Sequence, residues 1–274
     1  MNLRIAFKLA YLGNNYHGFQ IQPDVPTVEG ELFKALKKMN IINDPHDANY
    51  SYAGRTDKGV HALEQVVAFD TDAPDMAIPR AVNNELPADI WVWSRAEVPK
   101  TFDPRRDAIS REYRYVLYGK GLDISKMRDT SKLLIGLHDF ANFATNAKSE
   151  ERDTKRRIEC IDIRIDGSFM TLDIVADCFM WNMVRKIVTG LSMVGDGSKD
   201  ENWLKDMLRP DQYEEGIAPA PPFGLTLKRV NYLDIKFIDD EYVKRRAVEA
   251  LQNLFLWHGT MGEVLQDMRD TMRY

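Results

Sequence analysis

What most constrains this 274-residue chain is the order in which its apolar residues switch between strand and helix spacing. Leu3, Ile5, Phe7, Leu9 and Tyr11 fall on every second position, which predicts a half-buried strand over 3–11. Thr27 is a candidate helix cap, and Val28, Leu32, Ala35, Leu36 and Met39 follow it at helical spacing through about Asn40. Tyr50 to Gly54 reads as a short strand and Gln65 to Phe69 as a buried one. Ile78 to Asn84 reads as a helix and Ile90 to Val98 as a strand. The resulting order is β-α-β-β-α-β, the split βαβ pattern.

The same order recurs without any repeat of sequence. Ile109 to Tyr118 is a strand and Leu122 to Leu137 a helix that closes on Asp139 to Phe143. Ile158 to Ile165 pairs through an Asp166-Gly167 turn with a strand running to Asp177. Phe179 to Val194 reads as a helix ended by Gly195, and Trp203 to Leu208 as a short helix before Pro210. Leu225 to Phe237 is extended beyond the Pro219–Pro222 breaker cluster. From Asp239 onward the pattern is helical, with Val243, Ala247, Leu251, Leu254 and Phe255 on one stripe. We expect an α+β protein of two similar halves sharing one sheet, divided at 1–104 and 105–238, with a helical tail over 239–274.

Composition narrows the function classes. The chain is 44% apolar, enough for a core in each half. It lacks an apolar run of about 18 residues, so no membrane span is expected. The alternating N-terminus has no signal-peptide core. Cys160 and Cys178 are too few and too far apart for a disulfide framework or a zinc site, which suits reduced thiols and a cytoplasmic location. The net charge of −5 opposes a polyanionic partner unless basic residues gather locally. They do gather, at Arg105-Arg106, along Arg111 to Tyr115, and over Arg152 to Arg157, although each run read alone also suits a solvated face.

The chemistry concentrates in Ala53-Gly54-Arg55-Thr56-Asp57-Lys58-Gly59-Val60-His61-Ala62. Two glycines bracket the charged residues and permit tight turns or close approach of a ligand. Asp57 stands at the centre, with Arg55 and Lys58 placed to hold it ionised or to meet phosphate. A polar turn between two strands accounts for the same residues equally well. The loop resembles the signature loop of the tRNA pseudouridine synthase A family, built around a catalytic aspartate. Tyr11 to Gln22, Arg111-Glu112-Tyr113-Arg114-Tyr115, Phe179 to Val188 and Ala220 to Leu225 resemble further motifs of that family, in its order, over roughly residues 3–235. Phe19, Lys58, Trp181 and Asn182 depart from it, the last two replacing a pair that is often His.

The resemblance implies a pseudouridine synthase fold: two RRM/ferredoxin-like halves on a mostly antiparallel sheet with a central RNA-binding cleft. It implies isomerisation of uridine in the anticodon stem-loop of tRNA, at positions 38–40, by a homodimer needing no metal or cofactor. Asp57, Tyr113 and Arg185 would be catalytic. Arg185 would pair with Asp57, and Tyr113 would pack on the flipped uracil and assist proton removal from C5. Arg55 and Leu225 would bind substrate, Arg55 by filling the gap left by the extruded base, and Thr56, Lys58 and Gln20 are further candidate substrate contacts. His17 is a further candidate RNA contact, and His61 is expected to be structural. The chemistry needs one essential carboxylate, unlike the paired acids of ordinary glycosidases. Three other functions compete. A non-catalytic RNA-binding protein on the same scaffold lacks the RNP1 consensus here. A small-molecule glycosidase would need a second essential acid, and a structural protein leaves the charged glycine loop unexplained.

Overall fold

The computed structural model describes residues 2–145 and 153–273. The first half runs β1 (Leu3–Tyr11), α1 (Val28–Lys38), β2 (Ser51–Tyr52), β3 (His61–Thr71), α2 (Pro79–Val82) and β4 (Ile90–Val98). The second runs β5 (Ala108–Tyr118), α3 (Ile124–Ser131), β6 (Gly136–Asp139), β7 (Lys155–Asp166), β8 (Phe169–Ala176), α4 (Met183–Gly195), α5 (Glu201–Met207) and β9 (Leu225–Tyr232). A short β10 (Ile238–Asp239) then leads into α6 (Glu241–Thr271). One ten-stranded sheet joins them in the order β10-β4-β1-β3-β9-β5-β8-β7-β6, with β2 on β3. The quartets β4-β1-β3-β2 and β9-β5-β8-β7 therefore repeat one strand order, and the mixed α+β architecture with a largely antiparallel sheet stands as expected.

The alternation in β1 places Ile5, Phe7, Leu9 and Tyr11 in a buried cluster with Leu32 and Leu36 of α1, but the strand is not half-buried as expected, because the small Ala6 and Ala10 and the paired Arg4 on its other face are covered too. A second cluster gathers Tyr115, Leu172 and Ile174 from the sheet with Ile187 and Leu191 of α4. The opposite face of the sheet is charged and internally paired. Lys8 meets Glu64 at 2.8 Å, Lys228 meets Glu112 at 2.5 Å, and Arg114 meets Asp173 at 2.7 Å.

Three expectations fail at particular residues. The helix expected to reach Leu137 stops at Ser131, because Gly136, at φ +107°, turns the chain into edge strand β6. Four residues are too few to display alternation. The helix expected from Phe179 begins only at Met183, because Asn182 is left-handed at φ +62°. The extended run expected to Phe237 breaks after Tyr232 at Asp234, φ +57°. By contrast, Thr27 caps α1 by accepting from the Gly30 N–H, and Gly167 turns the β7–β8 hairpin at φ +58°.

The tail is one helix. Its first turns bury Val243 and pack Ala247 and Ala250 beside Ala10, Trp91 and Trp93. Beyond them Leu254, Trp257, Met261, Val264 and Met268 extend the same stripe by steps of three or four residues, and all are exposed. Of the residues expected on one stripe, only Val243 is fully covered.

Burial raises the phenol pKa of Tyr11, Tyr50, Tyr113 and Tyr232 above the ordinary 10.0. The unfolded chain releases these protons first. Their contribution to stability is thus complete below pH 10 and is lost as pH rises through the folded values, at about 1.4 kcal/mol per pH unit for each tyrosine. Urea midpoints should fall steeply between about pH 10 and pH 11. A flat midpoint across that interval would contradict the burial of these side chains.

Candidate active site

The site forms where the two quartets meet. One edge of β3 is shared: Val67 and Ala68 take β2, while His61 and Ala62 take β9 in the one parallel pairing among the described strands. The loop 53–60 leaves β2 and re-enters β3 at that division. It is pinned from below and behind. Thr56 Oγ1 lies 2.7 Å from the Tyr11 hydroxyl, the Phe19 N–H donates to Thr56 O at 3.0 Å, and the Val60 N–H closes a turn onto Asp57 O at 3.1 Å. Gly18 must be glycine, since a Cβ there would stand 2.8 Å from Thr56 O at φ +100°.

Asp57 is thereby presented half-exposed, with one donor on each carboxylate oxygen. Arg185 Nη1 reaches Oδ2 at 3.4 Å, and the Trp181 indole N–H donates to Oδ1 at 3.1 Å. Arg185 is itself fixed, donating through Nε to Ala220 O at 2.5 Å and through Nη1 to Asn182 Oδ1 at 2.9 Å. Only 13% of its side chain is exposed, so it is a committed partner and not a solvated surface cation.

Tyr113, on β5, packs edge-on against Phe179 with ring centroids 5.1 Å apart. Its phenol is pushed up to about 12, chiefly by burial, with Arg111 opposing and the Asp57 carboxylate adding to the rise. At neutral pH it is a neutral ring. That is compatible with packing on a base and incompatible with a resting phenolate that takes a proton from C5. Leu225 begins β9, buried and paired in register with Tyr115.

The remaining candidates divide. Arg55 is exposed, tethered by Nε to the Tyr52 hydroxyl at 3.0 Å. Lys58 is exposed beside His17, with Nζ 3.1 Å from Nε2. Gln20 is partly buried on the neighbouring N-terminal loop. Thr56, expected at the substrate, is turned inward onto Tyr11 and only 6% exposed, because the loop uses its hydroxyl as an anchor. His61 is a structural clamp: Nδ1 accepts from the Gly13 N–H at 3.1 Å, and Nε2 meets Phe223 O at 3.1 Å. Burial lowers its pKa, which suits the neutral tautomer those bonds require.

Three participants are not evident from sequence. Trp181 and Asn182 are visible there as departures from a His pair, but a helical reading of 179–182 hides their roles. Arg111 is visible as part of a strand, and its work is not. Its guanidinium donates to Asp177 O at 2.7 Å, Arg105 O at 2.6 Å and Ala53 O at 3.5 Å, tying Arg105 and the end of β8 to the start of the Asp57 loop.

With this geometry in place, comparison with known proteins decides the family. A family model described as tRNA pseudouridine synthase matches residues 130–233. The tRNA pseudouridine synthase A of Methanosarcina barkeri is 58% identical, over 97% of this chain and 98% of its own length. Those of Methanosarcina acetivorans and Methanosarcina mazei are each 56% identical over the same shares. The chain belongs to the tRNA pseudouridine synthase A family. The matches run the length of both halves and through most of α6, so the tail is shared with those relatives. Among the described residues no group of His, Cys, Asp and Glu could hold a metal ion, and no helix is long and apolar enough to cross a membrane.

Proposed function

We propose that the protein isomerises uridine to pseudouridine in tRNA, at positions 38–40 of the anticodon stem-loop, with Asp57 as the carboxylate that acts on the extruded uridine. The observation that carries this reading is Asp57 held between Arg185 and Trp181 at the junction of the two strand quartets. The reaction breaks C1′–N1, turns the uracil and joins C1′ to C5; C5 gives its hydrogen to water as a proton and N1 takes a proton up. The net composition is unchanged, so one carboxylate beside C1′ and C2′ suffices, as nucleophile or as base. Tyr113 and Leu225 form the apolar wall for the base. Arg55 and Lys58, both exposed on the loop, meet the RNA, and Gln20 and His17 flank them.

We read each strand quartet as an RRM/ferredoxin-like unit, with halves at 1–104 and 105–238 and a separate tail, working in the cytoplasm. The basic segments Arg105-Arg106 and Lys155–Arg157 serve as the tRNA surface. Support comes from Arg111 and Asp177, since the Arg157 N–H donates to Asp177 Oδ1 at 3.2 Å and Arg111 joins Asp177 to Arg105. Arg152, of the same run, lies outside the described residues. Reversing these charges to Glu should weaken tRNA binding and flatten its dependence on salt, by close to one unit of log–log slope for each phosphate no longer neutralised. Filter binding at several salt concentrations checks this, and an unchanged affinity and slope would remove the surface.

A homodimer is part of the same reading, and α6 supports it. Its exposed Leu254, Phe255, Leu256, Trp257, Leu265 and Met268 are more apolar surface than a monomer normally leaves in water. With five basic and five acidic residues between Glu241 and Arg273, it does not suit a polyanion. Met261→Glu with Leu265→Glu should convert a dimer into a folded monomer in sedimentation equilibrium. A double variant that sediments like the parent chain would place the interface elsewhere.

A further inference from the structure

Trp181 is the least economical residue at the site: a large aromatic ring left 55% exposed beside a carboxylate. Its position is nevertheless built. The Thr145 N–H donates to Trp181 O at 3.0 Å. The next residue, Asn182, takes the left-handed conformation at φ +62°, which asparagine tolerates better than most side chains and which its surroundings hold here. Those surroundings are visible: Asn182 Nδ2 donates to Thr145 Oγ1 at 3.0 Å, and its Oδ1 accepts from Arg185 at 2.9 Å. The segment 179–182 thus stands clear of α4, with Phe179 against Tyr113 and Trp181 against Asp57.

An indole offers one donor and no acceptor, so Trp181 takes no part as acid, base or nucleophile. Two capacities remain. Its N–H fixes one oxygen of Asp57, while Arg185 addresses the other, and together they set the plane of the carboxylate. Its exposed face has the area and polarity of a stacking platform for a nucleobase. We propose that Trp181 does both: it is a positioning residue for Asp57 and the surface on which a base of the bound RNA stacks. This rests on the reading of Asp57 as the carboxylate of uridine isomerisation.

Three substitutions separate the two roles. Trp181→Phe keeps a ring and removes the N–H. Trp181→His restores a donor with a smaller face. Trp181→Ala removes both. With tRNA as substrate, the Phe variant should lose about tenfold in kcat with KM within about twofold of the parent. The His variant should recover part of that kcat. The Ala variant should match the Phe variant in kcat and raise KM about tenfold or more. Thermal midpoints and circular dichroism of all three should stay near the parent, because the ring is exposed; a purely structural role would lower the midpoints and move kcat and KM together. A Phe variant with parental kcat overturns the positioning role, and an Ala variant with parental KM overturns the stacking role. Either result leaves the isomerase reading intact if the parent releases tritium from [5-³H]uridine tRNA; a silent parent overturns both.

Discussion

Asp57→Asn should fold, bind tRNA as the parent chain does, and form no pseudouridine. The fold survives because the Asp57 side chain is half-exposed and lies on a loop anchored by neighbours: Thr56 on Tyr11, Phe19 on Thr56 and Val60 on the Asp57 carbonyl. None of those bonds uses the carboxylate. RNA binding should survive because, in the proposed reading, Arg55, Lys58 and the basic segments meet the phosphates, and none of them is changed. The chemistry fails because an amide is neither a nucleophile for C1′ nor a base for C2′. A loss of about 10⁴-fold or more is the scale for removing a reacting group. Single-turnover pseudouridine formation beside filter binding checks the prediction. A variant within about tenfold of the parent would move the reaction away from Asp57.

Arg185→Met should be the next most damaging change, for a different reason. Its guanidinium holds three groups of the site in place. It donates to Ala220 O, Asn182 Oδ1 and Asp57 Oδ2, so one side chain aligns the 220–225 segment, the left-handed residue beside Trp181 and the carboxylate. Met approximates its volume and removes the charge and every donor. Loss of one preorganised charged donor is worth about 10²- to 10³-fold in kcat. The two freed acceptors, Ala220 O and Asn182 Oδ1, should also lower the urea midpoint modestly. Arg185→Lys should retain charge and lose the fork, falling between. A Met variant within about threefold of the parent in kcat would show that Asp57 works without its cation.

How much of this is legible in the sequence depends on how many residues each feature spans. β1 and β4 each show their face over nine residues, and their bounds agree with the alternation. The repeated strand order follows from that. Edge strand β6, with four residues and a glycine in the left-handed region, carries no periodicity to read. The start of α4 is masked because Phe179 and Met180 continue an apolar spacing across a backbone reversal that only the φ of Asn182 reveals. At the site, Asp57 and Arg185 are legible through motifs and meet as expected. Thr56 is not, since a hydroxyl in a charged loop gives no hint that it points inward. Trp181 is legible as an oddity and illegible as a partner of Asp57, because the two lie 124 positions apart in sequence.

The most direct measurement is tritium release from tRNA transcribed with [5-³H]uridine, with the parent chain and Asp57→Asn run in parallel. Release by the parent, limited to the anticodon stem-loop and absent from the variant, is the expected result. Tight tRNA binding by both with release by neither would contradict it, and would make the chain an RNA-binding protein on a synthase scaffold.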